Sequence, residues 1–553
     1  MSFQKFREQC VKLAGSYAHL LEQPPRGMDA DLALPCFALA KEKRKDPAVI
    51  AKEIAGAMKP SGLIKLVEAS GPYVNFYADW DKLGGEIIGR IIREDDNFGR
   101  ATRRKEKVMV EYSSPNTNKP LHVGHLRNDS LGMSISNILE FAGSNVIRTA
   151  IINDRGVHIC KSMLAYKKWG NGRTPDKKSD HFVGDFYVMF EKKLKEDPGL
   201  EEEIRQMLKK WEEGDKPTRA LWKKMNSWVL GGMKETYKLF GSKFDFWTLE
   251  SGIYDKAKPL IDQGAKKGLF FKGERGDILA KLEPELPNKV VLRADGTSIY
   301  ITQDMVLAKI RFEKHKIDRL IYVVASEQNL HFKQLFKILE LLGYGWSKNC
   351  HHLSYGLVNL PTGRMKTREG TVVDADELIK EETELAKKEI SAREKVSKTE
   401  LEKRSKEIAL AAIKYYLIKI EPIKDILFDP GRAISFEGDT GPYLQYTYAR
   451  AKSILRKAKK KNRIGKGVGK EEIDLIKKLS QFPYIVKKCA VELKPNYLAT
   501  YLFELATLFN SFYHAEKVIG SEKEAELLTV VESVSIVLRN GLSLLGINTL
   551  ERM

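Results

Sequence analysis

VMVEYSSPNTNKPLHVGHLRND, residues Val108 to Asp129, passes from an alternating apolar segment through a proline-bearing loop into the start of a helical pattern. The alternation has the period of a strand. LHVGHLRNDSLGMSISNILEFAG then keeps helical spacing until Gly143 closes it. His122 and His125, spaced i and i+3, share one face of the helix's first turn. Free backbone N–H groups and the helix dipole favour negative charge there, so two imidazoles beside them suit a phosphate. Gly124 between them lets a flat ligand approach the backbone. A bare HxxH also fits two capping histidines or half a metal site. The coincidence of strand end, loop and helix start decides for a nucleotide, because open α/β sheets bind ligands at that place.

Outward from this stretch the pattern repeats. NVIRTAII reads as a strand, and RLIYVVAS followed by EQNLHFKQLFKILELLG reads as strand and helix. Recurring strand–helix units predict an α/β, doubly wound, parallel-sheet (Rossmann-type) domain. A long polar, helical insertion is expected between them, from about residue 161 to 289. Residues 1 to about 100 mix helical patterns with strand-like runs such as GPYVNFYAD and end in the charged linker GRATRRKEK, so they form a separate α+β domain. ELIKEETELAKKEISAREK begins a helical connector, and from about Asp425 the chain reads as an all-α bundle interrupted by the solvated loop KAKKKNRIGKGVGK. The expected division is 1–105, 106–375, 376–424 and 425–553.

At 553 residues the chain exceeds what one core organises. Lys and Arg number 94 against 74 Asp and Glu, a net charge of +20, which points to a polyanionic partner. Cys10, Cys36, Cys160, Cys350 and Cys489 stand singly, against both a disulfide framework and a structural zinc site. The N-terminus is an amphipathic helix pattern without a long apolar run, and a cytoplasmic protein with no membrane association is expected.

PLHVGH resembles the HIGH signature of class I aminoacyl-tRNA synthetases, and VEYSSPNTNKPLHVGHLRND as a whole is similar to the arginyl-tRNA synthetase version. INDRGVHI from Ile152, FD at Phe244 and Asp245, ES at Glu250 and Ser251, RADGTSIYITQD ending at Asp304, YVVASEQNLHF ending at Phe332 and GPYLQYTYAR ending at Arg450 resemble that family's landmarks in its order. SGPYVNF is similar to its extra N-terminal domain. The resemblance implies that ATP, as its Mg2+ complex, activates L-arginine to arginyl-adenylate, that the arginyl group passes to the 3′ end of tRNA(Arg), and that activation requires the tRNA. It also implies a C-terminal bundle that binds the anticodon and an N-terminal domain that holds the D-loop corner. A monomer without a tightly bound metal is expected.

Attack of a carboxylate on the α-phosphorus spreads negative charge over oxygens, and positioned donors stabilise it most. His122 and His125 fit as those donors, with Gly124 beneath the nucleotide. Arginine is a planar cation, so its pocket should offer carboxylates. Glu111, at the end of the first strand, and Asp304, four residues after Tyr300 on one helical face, are the candidates. By the resemblance they act with Asn116, near the substrate's α-amino and carboxylate end, Tyr300 near the guanidinium, and Gln328. His331 matches a family position but equally suits a packed or capping role. The second class I signature, the KMSKS loop, corresponds to GRMKTREG, where Arg364 takes the first lysine slot, Lys366 the serine slot and Thr367 the second lysine slot. Met365 would face ATP. Lys119, three residues before His122, is the expected substitute for the missing lysine charge. Tyr443, Tyr446, Tyr448 and Arg450 suit either base stacking or the core of the bundle. Three rivals stay open: another class I specificity, which should lack the Glu111 and Asp304 pair, a small-molecule nucleotidyltransferase, which needs no bundle, and a non-catalytic RNA-binding paralogue.

Overall fold

The computed structural model describes residues 2–25, 28, 30–296, 299–359, 373–458 and 470–553. The helix Ser2–Ala14 leads into an antiparallel sheet of order β1-β3-β2, made by β1 (Leu32–Pro35), β2 (Ile64–Ser70) and β3 (Tyr73–Ala78). Its apolar face closes on Phe6, Ile50, Leu83 and Ile87 from the flanking helices.

The second sheet is parallel throughout and has the order β11-β10-β4-β5-β6, from β4 (Lys107–Glu111), β5 (Asn145–Ile152), β6 (Phe246–Leu249), β10 (Arg319–Ala325) and β11 (Cys350–Tyr355). Its strands are apolar on both faces, as a sheet covered by helices on both sides requires. Val108 and Val110 enter one core cluster and Met109 the other. The chain winds outward from β4 to β5 and β6, then returns to pair β10 with the opposite edge of β4. That reversal opens a crevice beyond the carboxyl ends of β4 and β10. A small antiparallel sheet, β7 (Phe270–Lys272), β8 (Ile278–Ala280) and β9 (Lys289–Leu292), packs its buried residues into the second cluster.

The expected insertion is corrected in one respect. β6 lies inside the stretch read as insertion, yet it pairs with β5 from Thr149–Phe246 to Ile152–Leu249 and is the edge of the main sheet. Helices Val157–Trp169, Ser179–Glu196, Leu200–Glu212 and Lys216–Phe240 form the crossover to it.

β12 (Val358–Asn359) and β13 (Ile426–Leu427) form a parallel ribbon joining the end of the sheet domain to the C-terminal helices. Those are Gly441–Lys457, Lys470–Glu492, Asn496–Ala515 and Glu524–Leu544, with Lys398–Ile418 packed among them. Glu524–Leu544 is long and apolar enough to cross a membrane, but 83% of its apolar window is buried inside the protein. Tyr448 is 3% exposed, so of the two roles open to it the structure gives core packing. Arg450 donates to Asn510 Oδ1 at 2.6 Å and covers the Tyr446 ring at 4.8 Å, and the Tyr443 hydroxyl accepts from Asn510 at 2.8 Å. The five cysteines are free and buried.

Close packing of the helix Val123–Phe141 on β4 sets a test. A Cβ on Gly132 would stand 2.2 Å from Cγ of Tyr112, which is fully buried. Gly132→Ala should destabilise the sheet domain by roughly 1–3 kcal/mol, the cost of overpacking. Calorimetry checks it, and an unchanged melting profile contradicts this packing.

Candidate active site

The helix Val123–Phe141 is capped by its own histidines. His122, at the N-cap with extended backbone, accepts the Gly124 N–H on Nδ1 at 3.2 Å. His125, one turn on, accepts the His122 N–H on its own Nδ1 at 3.1 Å. Each ring therefore carries its proton on Nε2, leaving one N–H donor per imidazole. The ring centroids are 4.0 Å apart. Burial, with Lys119 nearby, pushes His122 down to about 3. Burial, then His122 and Lys119, puts His125 well below the ordinary range. Both rings are neutral at pH 7, so they donate hydrogen bonds without competing as cations. Burial also lowers Lys119, to about 8, which leaves it mostly charged. A Cβ at 124 would meet His122 Cε1 at 2.9 Å, so a side chain there would have to move the ring.

The loop before the helix is fixed from behind. Ser113 and Ser114 hold φ of +73° and +50°, and the Asn128 side chain accepts the Ser113 N–H at 2.6 Å. The same amide donates to Val323 O at 2.8 Å and to the Tyr355 hydroxyl at 3.0 Å. It thereby ties the ends of β4, β10 and β11 to the histidine helix. The backbone beyond residue 372 is stitched in as well: Val123 N donates to Val373 O at 3.1 Å and Ala375 N to Leu121 O at 3.0 Å.

Asn116 lies on this loop, bridged to Asn153, and Thr117 N donates to Asn153 O at 3.1 Å. Tyr300 starts the helix Tyr300–His315 and is 64% exposed, while Asp304 stands one turn deeper and meets His331 Nε2 at 2.7 Å. His331 is thus a partner of Asp304. Gln328 is exposed at the N-cap of Asn329–Leu341, just past β10.

Glu111 is placed elsewhere than expected. Its buried carboxylate forms an ion pair with Arg311, itself 1% exposed, inside the sheet domain. Glu250 is a second buried carboxylate, close enough to Asp304 to feel its charge. It follows β6 at the carboxyl edge of the sheet, is 4% exposed, and its charge and that of Asp304 bear on Tyr300. Burial pushes Glu250 up to about 7 even though Arg155, 3.7 Å away, opposes this. Asp154 positions it by accepting Ser251 N at 2.8 Å and Ser251 Oγ at 2.7 Å. The sequence carried Glu250 as part of a motif, but without its strand the residue had no place in the site.

Arg364, Met365 and Lys366, with Thr367, lie outside the described residues. Among the described residues, Asp180, His181 and Asp376 have the spacing of metal ligands. Lys178 already stands 2.9 Å from Asp180 and 2.6 Å from Asp376, where a cation would sit.

Comparison with known proteins finds three family models along the chain. Residues 87–430 match the family model for the catalytic domain of class I tRNA synthetases (R), 444–553 the DALR anticodon binding domain, and 4–78 the arginyl tRNA synthetase N-terminal domain. The arginine–tRNA ligase of Treponema denticola is 43% identical across 99% of this chain and 96% of its own length. That of Bacteroides thetaiotaomicron is 40% identical across 96% and 95%. The structure of Thermus thermophilus arginyl-tRNA synthetase superposes with a TM-score of 0.83 at 28% identity, covering 100% of both chains.

The packing under Gly124 yields a test. Gly124→Ala should displace the His122 ring and weaken ATP binding by roughly tenfold, the scale of one hydrogen bond to a charged group. Calorimetric titration with unchanged affinity would show that the ring's position does not matter.

Proposed function

The chain belongs to the arginyl-tRNA synthetase family and is an arginine–tRNA ligase, and on that premise we propose which of its residues carry the reaction. The activity joins L-arginine to tRNA(Arg) at the expense of ATP. In the first step an arginine carboxylate oxygen attacks the α-phosphorus, the bond to the bridging oxygen breaks, and pyrophosphate leaves. In the second, a ribose hydroxyl of the terminal adenosine attacks the acyl carbon and AMP leaves. Negative charge grows on the α-phosphate in the first step, where fixed donors help most.

The observation carrying this reading is the pair of neutral imidazoles, each with Nδ1 occupied, at the sheet's point of reversal. His122 and His125 donate Nε2–H to phosphate oxygens, and Gly124 leaves the backbone open beneath the nucleotide. Lys119 supplies positive charge toward the phosphates. Mg2+ arrives with ATP as part of that substrate, and no tightly bound metal is assigned. Arg364, Lys366 and Met365 keep their nucleotide roles on the sequence alone.

For arginine, Glu250 and Asp304 face the guanidinium with Tyr300 across the mouth. A half-protonated Glu250 in the empty pocket becomes fully ionised when the cation arrives, so binding arginine releases a proton. Asn116 and Gln328, beyond β4 and β10, hold the α-amino and carboxylate end toward the histidines. We further propose a cytoplasmic monomer, divided at 105/106, 375/376 and 424/425.

Two mutational tests separate the halves of the site. Asp304→Ala and Glu250→Gln should each raise KM for arginine roughly 100-fold or more with little change for ATP, the scale of removing one partner of a desolvated charge pair. Glu111→Gln should lower thermal stability instead. Equal effects on both substrates in pyrophosphate exchange contradict the pocket. Lys119→Ala should cut kcat for adenylate formation roughly 100-fold, as loss of one transition-state donor does, with arginine KM near the parent's. A parent-like kcat at saturating ATP removes Lys119 from the mechanism.

A further inference from the structure

Arg127 follows His125 by two residues, about 3 Å along the helix axis at the usual rise, and is completely buried. Its guanidinium donates to four carbonyl oxygens on two separate segments. Nη1 reaches Gly356 and, at 3.1 Å, Leu357; Nη2 reaches Pro422 at 3.0 Å and Lys424 at 2.7 Å. Burial lowers its pKa, to about 10, and the charge of Asp425 acts against this.

These two segments form one physical unit. Gly356 N donates to Pro422 O at 2.9 Å, Leu357 N to Asp425 Oδ1 at 2.7 Å, and Ile426 N to Leu357 O at 2.8 Å. A Cβ on Gly356 would stand 2.5 Å from the carbonyl carbon of Lys424, so the contact admits only glycine. On one side the unit continues β11 out of the sheet, and on the other it leads into the helices matched by the anticodon-binding domain. Besides these carbonyls the guanidinium has the Tyr355 ring 5.7 Å away and feels the charge of Asp425, and burying a guanidinium without a paired carboxylate is an expensive way to hold a fold. Its planar fork does what an apolar side chain or a lysine cannot, because it fixes four acceptors at once in direction as well as distance.

We propose that Arg127 is a positioning residue for adenylate formation, holding the start of the C-terminal bundle in register with the helix that carries His122 and His125. The proposal rests on the reading of those histidines given above. The bundle cannot shift against the sheet domain without moving the carbonyls that Arg127 holds. Because Arg127 sits within the second turn of the histidine helix, such a shift reaches the phosphate donors before it reaches the carboxylates proposed for the guanidinium, which stand past β6 and on the helix Tyr300–His315.

The experiment is steady-state pyrophosphate exchange, in the presence of tRNA, by full-length Arg127→Lys and Asp425→Ala. Concentrations are normalised to folded protein from calorimetry. Arg127→Lys keeps the charge but not the fork, and should lower kcat roughly 10- to 100-fold, the scale of misplacing a reacting group by about 1 Å, leaving arginine KM near the parent's. Asp425 is exposed, so Asp425→Ala folds and should lower kcat in the same direction by less. If both variants keep parental kcat and only melt earlier, or if arginine KM rises as much as kcat falls, the proposal is overturned. Where Arg127→Lys does not fold, Asp425→Ala decides by the same criterion. His125→Ala run alongside separates the premises: an active His125→Ala sinks the histidine reading itself, whereas an inactive one beside parent-like Arg127→Lys and Asp425→Ala sinks only the positioning role.

Discussion

The Asn128 side chain spans the crevice at which the parallel sheet reverses direction, and the site is built around that span. One amide accepts from the backbone after β4 and donates to the Val323 carbonyl in β10 and to the hydroxyl of Tyr355 at the end of β11. Strands in a parallel sheet diverge beyond their last ladder bond, and a crevice held only by loops would vary in width. Here the width is set by three hydrogen bonds from a buried residue of the histidine helix itself. The helix start is thereby tied to the backbone after β4 and to β10 and β11. The left-handed backbone at Ser113 and Ser114 is strain that this bridge sustains.

From that constraint the chemistry divides by charge. On the phosphate side burial keeps both imidazoles neutral, and the capping bonds on Nδ1 decide which nitrogen donates. Cationic character comes from Lys119, whose own burial lowers the cost of bringing a phosphate beside it. On the arginine side the signs are reversed. Glu250 is held high by desolvation, while Asp304 is kept in place by His331. In the proposed site a neutral donor pair serves the phosphates and two carboxylates the guanidinium, which matches a substrate that is cationic at one end and meets a polyphosphate at the other.

Much of this was legible from local pattern. The alternation of β4 and the helical spacing after it place His122, Gly124 and His125 correctly because both signals lie within two dozen residues of one another. The helix starting at Tyr300, which sets Asp304 one turn below it, is equally local. What the sequence withheld depends on partners distant in the chain. Glu111 ends a strand just where a pocket carboxylate would be placed, but Arg311, contributed by a helix far along the chain, neutralises it. β6 is short and half-buried at the sheet edge, with little apolar alternation to set it apart from the helical crossover before it. With β6 hidden, Glu250 could not be seen to stand at the carboxyl edge of the sheet. In GPYLQYTYAR half-buried and fully buried residues alternate too closely for spacing alone to separate Tyr448 from Tyr446.

The central claim is that His122 and His125 act as neutral Nε2–H donors in a fixed tautomer. Long-range 1H–15N correlation of 15N-histidine-labelled protein, followed from about pH 8 to about pH 5 across the ordinary histidine range, tests it directly. The account predicts that both rings stay neutral, with the proton on Nε2 throughout. A ring that titrates near the ordinary value, or that carries its proton on Nδ1, would contradict it.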